Sequence, residues 1–185
     1  MAKEICFPDK SLDTVQCMAT GLISIRTARP DDAPDIARVH REAWRYAYQG
    51  LIPHLPLERM IARRGAGWWQ RSLESGMHAL ALDFDGGLVG YATLGRSRMR
   101  GTPYMGEIFE LYVRPGFQGS GFGRRLFSAA RTQLEDFQIT GLIVWALAEN
   151  DAACAFYTHL GGRPISERIE RFGDQTLRKV AFAWK

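Results

Sequence analysis

Apolar and polar positions along this chain follow two periods, one typical of strands and one typical of helices. Strand-like apolar runs cover residues 22–28, 78–84, 88–94, 107–113, 142–147, 164–171 and 176–184. Apolar residues recur at helical spacing over residues 36–44, 56–64, 68–73, 126–134 and 152–160. The resulting order, β-α-α-(α)-β-β-β-α-β-α-β-β, predicts an α/β fold in which a mixed sheet carries helices on both faces.

One stretch in the middle of the chain combines a buried strand, a glycine turn and a helix. The strand over residues 107–113 is ended by Pro115-Gly116, and glycines at 119, 121 and 123 precede the helix. A helix start of this kind leaves several backbone N–H groups unpaired near the positive end of the helix dipole. The stretch therefore predicts a phosphate-binding site.

Two common phosphate sites do not fit this stretch. A P-loop is excluded because no Lys-Ser/Thr pair follows the last glycine. A dinucleotide-binding fold would place its glycine turn after the first strand of a βαβ unit, with an acidic residue about twenty positions further on, at a strand end. Here the turn lies mid-chain, and Glu135 and Asp136 lie on the helix instead.

Two motifs, Gln118 to Gly123 and Asn150 to Gly161, instead resemble those of the GNAT superfamily of acetyl-CoA-dependent N-acyltransferases. The residues from Gln118 to Gly123 resemble its pyrophosphate loop, Gln/Arg-x-x-Gly-x-Gly/Ala, and Asn150 to Gly161 resemble its second signature, Asn-x-x-Ala-x-x-Phe-Tyr-x-x-x-Gly. The motifs occur in the family's order, and residues 22–184 fit its order of elements. The resemblance implies a mostly antiparallel sheet with a splayed central strand pair. At Gly162 the family usually has Phe, so we expect looser packing there.

The resemblance also implies how acetyl-CoA, the expected co-substrate, is held. Backbone groups of Leu111, Tyr112 and Val113 would bind the pantetheine arm in the gap between the splayed strands, and the Leu111 N–H would polarise the thioester carbonyl. The full set of expected cofactor-binding residues comprises these three with Gln118, Gly119, Ser120, Gly121, Phe122, Gly123, Arg124, Asn150, Ala153 and Phe156. For Arg124 a solvated helix face, and for Asn150 a simple helix cap, remain alternatives.

Transfer to an amine further requires a base and an acid, because an alkylammonium must lose a proton before it attacks. Glu107 and Glu110 are the candidate bases, since a carboxylate in an apolar strand is costly to bury without a purpose. Strand alternation places them on opposite faces. Glu107 has the family's spacing to the loop, and Glu110 adjoins the carbonyl site; an arginine partner or a substrate clamp is the alternative for both. By resemblance Tyr157 would protonate the leaving thiolate, or else serve as a core aromatic.

Aromatic residues are concentrated between the first strand and the second. They are Trp44, Tyr46, Tyr48, Trp68 and Trp69. They fit either core packing or, by resemblance, a wall of the acceptor pocket. His40 in the same region is expected to be a packed or solvated side chain rather than a ligand.

Composition and cysteine content bear on the domain organisation, the location and metal binding. A chain of 185 residues that is 46% hydrophobic and 24% charged indicates one globular domain, which we place at residues 21–185 after an N-terminal arm over 1–20. The absence of a long apolar run or signal peptide predicts a cytoplasmic protein with no membrane partner. Cys6, Cys17 and Cys154 fit reduced thiols and lack metal-ligand spacing, so no metal is expected.

The charge and the second motif refine the predicted function. A net charge of +4 is modest and dispersed, which argues against a nucleic-acid partner. We therefore predict an N-acetyltransferase that acts on a primary amine, with a homodimer as a candidate assembly. Trp145-Ala146-Leu147 stands where branches acting on protein N-termini often have Glu-Val-Arg, which favours a small-molecule acceptor. A peptide N-acetyltransferase and a non-catalytic acyl-CoA sensor are the alternatives.

Overall fold

A computed structural model describes residues 22–185, so the predicted N-terminal arm lies outside the described residues. The strands are β1 (Ile23–Thr27), β2 (Ala79–Phe84), β3 (Gly87–Arg96), β4 (Gly106–Val113), β5 (Leu142–Leu147), β6 (Arg163–Phe172) and β7 (Gln175–Trp184). The helices are α1 (Ala33–Tyr48), α2 (His54–Arg63), α3 (Ala66–Glu74), α4 (Phe122–Asp136) and α5 (Asp151–His159). None of the helices in this part of the chain is long and apolar enough to cross a membrane.

The strands form one seven-stranded sheet in the order β1-β2-β3-β4-β5-β7-β6. Every neighbouring pair is antiparallel except β4 and β5, which run parallel. Apolar residues of α4 and α5 pack on one face, and those of α1 and α3 pack on the other. The predicted α/β fold with a mostly antiparallel sheet is confirmed.

Local sequence signals account for the turns between these elements. Asp85 and Gly86 have φ angles of 49° and 78°, the two left-handed positions that a tight turn between β2 and β3 requires. Asn150 caps α5, because its side-chain oxygen accepts a hydrogen bond from the Ala153 N–H at 3.1 Å.

The two parallel strands at the centre of the sheet separate soon after they meet. β4 and β5 pair only at Gly106–Leu142, Glu107–Ile143 and Ile108–Val144, although β4 continues to Val113 and β5 to Leu147. Beyond Ile108 the facing edges of both strands therefore border a gap in the sheet. β4 and β5 are the predicted splayed strand pair.

A bulge in β4 lies where the gap begins. Thr93 of β3 pairs with Glu110 and Leu94 pairs with Ile108, so Phe109 is the extra residue. Gly95, which shares a face of β3 with Thr93, pairs with Glu107. Because directly opposed residues share a face, Glu107 and Glu110 lie on the same side of the sheet. The prediction that they lie on opposite faces is wrong, since the bulge shifts the alternation by one residue.

The packing at Gly162 also differs from expectation. The Trp184 ring at the end of β7 fills the space beside Gly162, so that an added Cβ would lie 2.5 Å from Trp184 Cζ2 and 2.8 Å from the Tyr157 carbonyl oxygen. The Trp184 Nε1–H donates to the Leu160 carbonyl at 2.9 Å, which fixes the ring. The prediction of looser packing at Gly162 is wrong, because a tryptophan from another element occupies the position.

We expect Gly162→Ala to lower the free energy of unfolding by about 1–3 kcal/mol, since its methyl group would overpack a fixed ring and a backbone carbonyl. Gly116→Ala is the matched control, because a Cβ at Gly116 meets nothing within 4 Å. Urea denaturation of both variants would measure the difference. Equal stability of the two variants would contradict this account of Gly162.

Candidate active site

The backbone of β4 presents its free groups to the gap at alternate residues. The Arg114 N–H donates to the Val89 carbonyl at 2.9 Å, which makes Val113 and Gly90 a non-hydrogen-bonded pair. By the same alternation, Tyr112 bonds to β3 through its backbone. The N–H and C=O of Leu111 and Val113 consequently point away from β3 and into the gap.

Of the three strand residues predicted to bind the cofactor, only two thus turn their backbone groups to the gap. The Tyr112 side chain lies on the α1 side of the sheet, where its hydroxyl oxygen is 2.7 Å from that of Tyr48. The Val113 carbonyl already accepts a hydrogen bond from the Gln118 side chain at 3.0 Å. The Leu111 N–H and C=O and the Val113 N–H are the groups left at this edge.

The glycine loop presents a row of free donors beside the gap. Gly119 and Gly121 both have φ of 80°, a left-handed conformation that favours glycine. Gln118 N–H bonds to the Pro115 carbonyl, and the next backbone donor with a partner is Arg125, bonded to Gly121. Between them the N–H groups of residues 119–124 have no acceptor within the described chain. Such a row fits a pyrophosphate.

The remaining predicted cofactor residues lie around this loop. Ser120 and Arg124 are exposed, whereas the Phe122 side chain is buried. The Phe156 ring packs against α4, where a Cβ on Gly123 would lie 3.3 Å from it. Asn150 and the Ala153 N–H bond to each other in the helix cap. The loop, the cap and the gap therefore adjoin on one side of the molecule.

Tyr157 lies on the α5 side of the sheet and is 6% exposed. Its ring packs among aromatic side chains, namely Phe127, Phe156, Phe182 and Trp184. Burial raises the pKa of the Tyr157 phenol, with a smaller contribution from Tyr48, so the hydroxyl stays protonated at neutral pH. Tyr157 is thus a core aromatic whose hydroxyl is protonated at neutral pH.

A cavity of about 520 Å³ opens on the other side of the sheet, between α1, α2 and the β6–β7 hairpin. Seven aromatic side chains line it: Trp44, Tyr48, Trp68, Phe109, Tyr112, Trp145 and Phe172. Of the aromatic residues singled out in the sequence, three line this cavity, Trp69 is buried in the core, and Tyr46 is 65% exposed. Trp44, Tyr48 and Trp68 are therefore cavity-lining residues, whereas Trp69 serves core packing and Tyr46 does neither.

Glu110 lies on the wall of this cavity and is held by two donors. The Arg64 guanidinium pairs with Oε1, and the Tyr91 hydroxyl donates to Oε2 at 3.0 Å. Burial raises the pKa of Glu110, opposed by the positive charge of Arg64 and by the bond from Tyr91. The pKa of the Glu110 carboxyl is consequently above that of an ordinary glutamate.

Glu107 is enclosed instead. It is 1% exposed and lies beneath Arg98, whose backbone N–H donates to Oε2 at 2.9 Å and whose guanidinium donates to Oε1 at 2.6 Å. Arg98 also covers the ring of Phe109 at 4.6 Å. Both oxygens of Glu107 thus have partners, and its carboxylate does not line the cavity.

Sequence reasoning missed the groups that surround the two glutamates. Arg64 and Tyr91 lie 46 and 19 residues from Glu110, and nothing local connects them. An arginine partner was anticipated in general terms, and Arg98 lies between Arg96 and Arg100 in a short basic cluster. His40 is fully buried, as expected of a packed side chain, and lies 2.7 Å from the Tyr91 hydroxyl. No group of three potential metal ligands occurs in residues 22–185.

Comparison with known protein families gives one model that covers both the central strands and the glycine loop. The family model described as "Acetyltransferase (GNAT) family" matches residues 35–161, which include the gap, the glycine loop and α5. The chain belongs to the GNAT acetyltransferase family. It is accordingly an acetyl-CoA-dependent N-acetyltransferase, as the two motifs predicted.

Individual relatives agree with this assignment and differ in acceptor. The chain is 26% identical to the uncharacterized N-acetyltransferase YuaI of Bacillus subtilis, over 88% of this chain and 93% of that one. It is 35% identical to the N-alpha-acetyltransferase RimI of Mycobacterium tuberculosis over 49% of this chain and 55% of that one. Mycothiol acetyltransferase of Paenarthrobacter aurescens is 28% identical over 65% of this chain but only 38% of its own length.

Solved structures share the fold. PaiA N-acetyltransferase from Thermoplasma acidophilum, in complex with coenzyme A, superposes with a TM-score of 0.68 at 20% identity, over 85% of this chain and 98% of that chain. YncA from Salmonella typhimurium, solved with acetyl-CoA, has a TM-score of 0.64 at 20% identity, over 89% and 94% of the two chains.

We expect Gly121→Asp to weaken acetyl-CoA binding by about a hundredfold or more, because it places a negative charge among donors suited to a pyrophosphate. Gly121→Ala is the control, since it introduces a side chain at the same left-handed position without charge. Calorimetric titration with acetyl-CoA measures both. If the folded Gly121→Asp protein binds as well as Gly121→Ala, this loop is not the pyrophosphate site.

Proposed function

We propose that the acceptor is the primary amine of a small molecule and that it binds in the aromatic cavity beside Glu110. The observation that carries this proposal is the position of the cavity. It reaches the gap at Tyr112 and Glu110, the two neighbours of Leu111, whose N–H points into that gap. An amine in the cavity would lie next to a carbonyl held at the Leu111 N–H.

The residues along the gap suit the acetyl donor. Residues 119–124 would hold the pyrophosphate, and the free groups of Leu111 and Val113 would pair with the pantetheine arm in the manner of an added strand. Bound acetyl-CoA supplies an activated thioester. The Leu111 N–H would donate to its carbonyl oxygen, and a well-placed donor of this kind contributes roughly 3 kcal/mol to catalysis.

Glu110 is the base that we favour over Glu107. An ammonium group entering the cavity would be attracted to the Glu110 carboxylate, which would take one of its protons. The neutral amine then attacks the carbonyl carbon, forming the C–N bond while the C–S bond breaks. The nitrogen gives up its second proton, which balances the proton that the leaving thiolate takes. Glu107 does not line the cavity and is enclosed beneath Arg98, so it is better suited to supporting β4 and the loop that carries Arg98.

Tyr157 is the acid in this proposal. Its hydroxyl is protonated at neutral pH and has no hydrogen-bond partner among residues 22–185. It is therefore free to donate to the departing thiolate, which in the same buried setting would itself be more basic than in water. Base and acid would thus act from opposite sides of the sheet, one from the cavity and one from α5.

The lining of the cavity favours a small apolar amine. Its cations are already neutralised, because Arg64, Arg98 and Lys179 pair with Glu110, Glu107 and Glu170. Trp145 and Leu147, which replace the Glu-Val-Arg run of protein-directed branches, both line it. A monoamine with an aromatic or apolar body would match these walls. A peptide N-terminus is the second candidate, favoured by the 35% identity with RimI over 92 residues.

A panel of acceptors separates these two candidates. We expect the enzyme to acetylate arylalkyl monoamines with a kcat/KM, measured as CoA release, at least about tenfold above that for peptides with free N-termini. Only the monoamines fill an apolar cavity. The N-acetylated form of the best amine is the blank. Preferred turnover of a peptide would overturn the small-molecule proposal and support the second candidate.

The pH dependence tests the base. Burial raises the pKa of Glu110, and the reaction needs its carboxylate, so kcat/KM should fall with decreasing pH through a value above the usual 4.5 of a glutamate. We expect Glu110→Gln to remove this acidic limb and to lower kcat by about 10²-fold or more at neutral pH. The measurement is the pH profile of CoA release with the best amine.

Two variants complete the experiment. Glu107→Gln is the matched control, since Glu107 is a buried glutamate on the same face that does not line the cavity, and this variant should keep the acidic limb. Tyr157→Phe should keep both the acidic limb and acetyl-CoA affinity while lowering kcat, because only its hydroxyl is lost. If Glu107→Gln loses the limb and Glu110→Gln retains it, the base is Glu107.

A further inference from the structure

A chain of three buried side chains lies behind the wall of the cavity. His40 Nδ1 is 2.7 Å from the Tyr91 hydroxyl, which in turn donates to Glu110 Oε2 at 3.0 Å. His40 and Tyr91 are fully buried, and Glu110 is 9% exposed. The chain joins α1, β3 and β4 in one line of hydrogen bonds that ends at the cavity.

We propose that His40 and Tyr91 are positioning residues for the reaction, which aim the Glu110 carboxylate into the cavity and keep it ionised. The inference rests on the proposed role of Glu110 as the base. It assigns a function to two residues that lie behind the cavity wall and outside the gap.

The direction of the hydrogen bonds follows from the protons available. A phenol has a single proton, and Tyr91 gives it to the carboxylate. Tyr91 must therefore accept from His40, so the imidazole carries its proton on Nδ1. Burial, together with the charge of Arg64, lowers the pKa of His40 to about 3, which keeps the ring neutral and the bond one-directional.

Filling the core does not account for this arrangement. His40 Nε2 is buried without a hydrogen-bond partner among residues 22–185, beside the rings of Trp44 and Trp69. A buried nitrogen without a partner is costly, and an apolar side chain would avoid that cost. What the imidazole contributes is the Nδ1–H bond to Tyr91.

The hydrogen-bonded row from His40 through Tyr91 has two consequences for Glu110. Arg64 and Tyr91 each hold one oxygen, so the carboxylate has one preferred orientation. A hydrogen bond to the ionised form also favours that form, and the bond from His40 strengthens the Tyr91 donor by polarising it. The titratable and charged groups that face Glu110 from the surrounding elements are Arg64, Arg98, Tyr48, Tyr91 and Tyr112.

The test is the acidic limb of the pH profile in three variants. Tyr91→Phe should move the limb to higher pH by about one unit or more, because a donor to the carboxylate is lost. His40→Leu should move it in the same direction by less. His40→Asn should restore it, since its amide nitrogen can take the place of Nδ1. The KM for acetyl-CoA should be unchanged in all three.

A spectroscopic measurement on the unaltered protein does not depend on activity. In ¹⁵N spectra of the imidazoles, His40 should show a protonated Nδ1 and an unprotonated Nε2 at every pH from 5 to 8. The His40→Asn spectrum assigns the signal. An Nε2–H tautomer, or titration in this range, would overturn the inference.

The outcomes also separate this inference from the proposed function. Persistence of the acidic limb in Glu110→Gln would show that Glu110 is not the base. Loss of the limb there, combined with an unmoved limb in Tyr91→Phe, would refute the positioning role alone. Equal behaviour of His40→Leu and His40→Asn would likewise refute the role of His40.

Discussion

The structure depends on the early separation of β4 and β5. Two parallel strands that pair at only three positions leave backbone N–H and C=O groups unpaired in the middle of a sheet, an arrangement that is costly unless another molecule supplies the missing bonds. The bulge at Phe109 begins where the pairing ends, and a bulge bends its strand. The glycine loop that follows β4 then directs its free donors toward the same region.

The bulge also determines the chemistry on the cavity side. By shifting the alternation of β4 by one residue, it turns both glutamates toward α1 and α2 and leaves Leu111 and Val113 facing α4. Two carboxylates on one face would repel each other and resist burial, and each is held by an arginine from a different segment. Arg98 encloses Glu107, whereas Arg64 and Tyr91 hold Glu110 at the cavity wall. The bulge therefore lies where the gap begins and puts both acids on one face, and their different partners distinguish them.

On the opposite face, aromatic packing places α5 against the end of the sheet. Trp184 of β7 fills the position beside Gly162 and bonds to the last turn of the helix, while the Tyr157 ring lies among Phe127, Phe182 and Trp184. The helix is therefore fixed at its end by the tryptophan and at its start by the Asn150 cap. A rigid helix holds the Tyr157 hydroxyl in place, which a proton donor in the proposed reaction requires.

The sequence by itself determined the elements, their order, the glycine loop and the membership of the family, because periodicity, turn residues and short motifs are local properties. It also narrowed the candidate bases to Glu107 and Glu110. Only the tertiary structure decided which of them lines the cavity, because a bulge that appears only in the strand pairing puts both on one face and Arg98 then covers Glu107. The partners of these glutamates, the chain from His40 through Tyr91, and the ring beside Gly162 come from residues distant in sequence. Such contacts depend on how the elements pack together, and no local pattern encodes them.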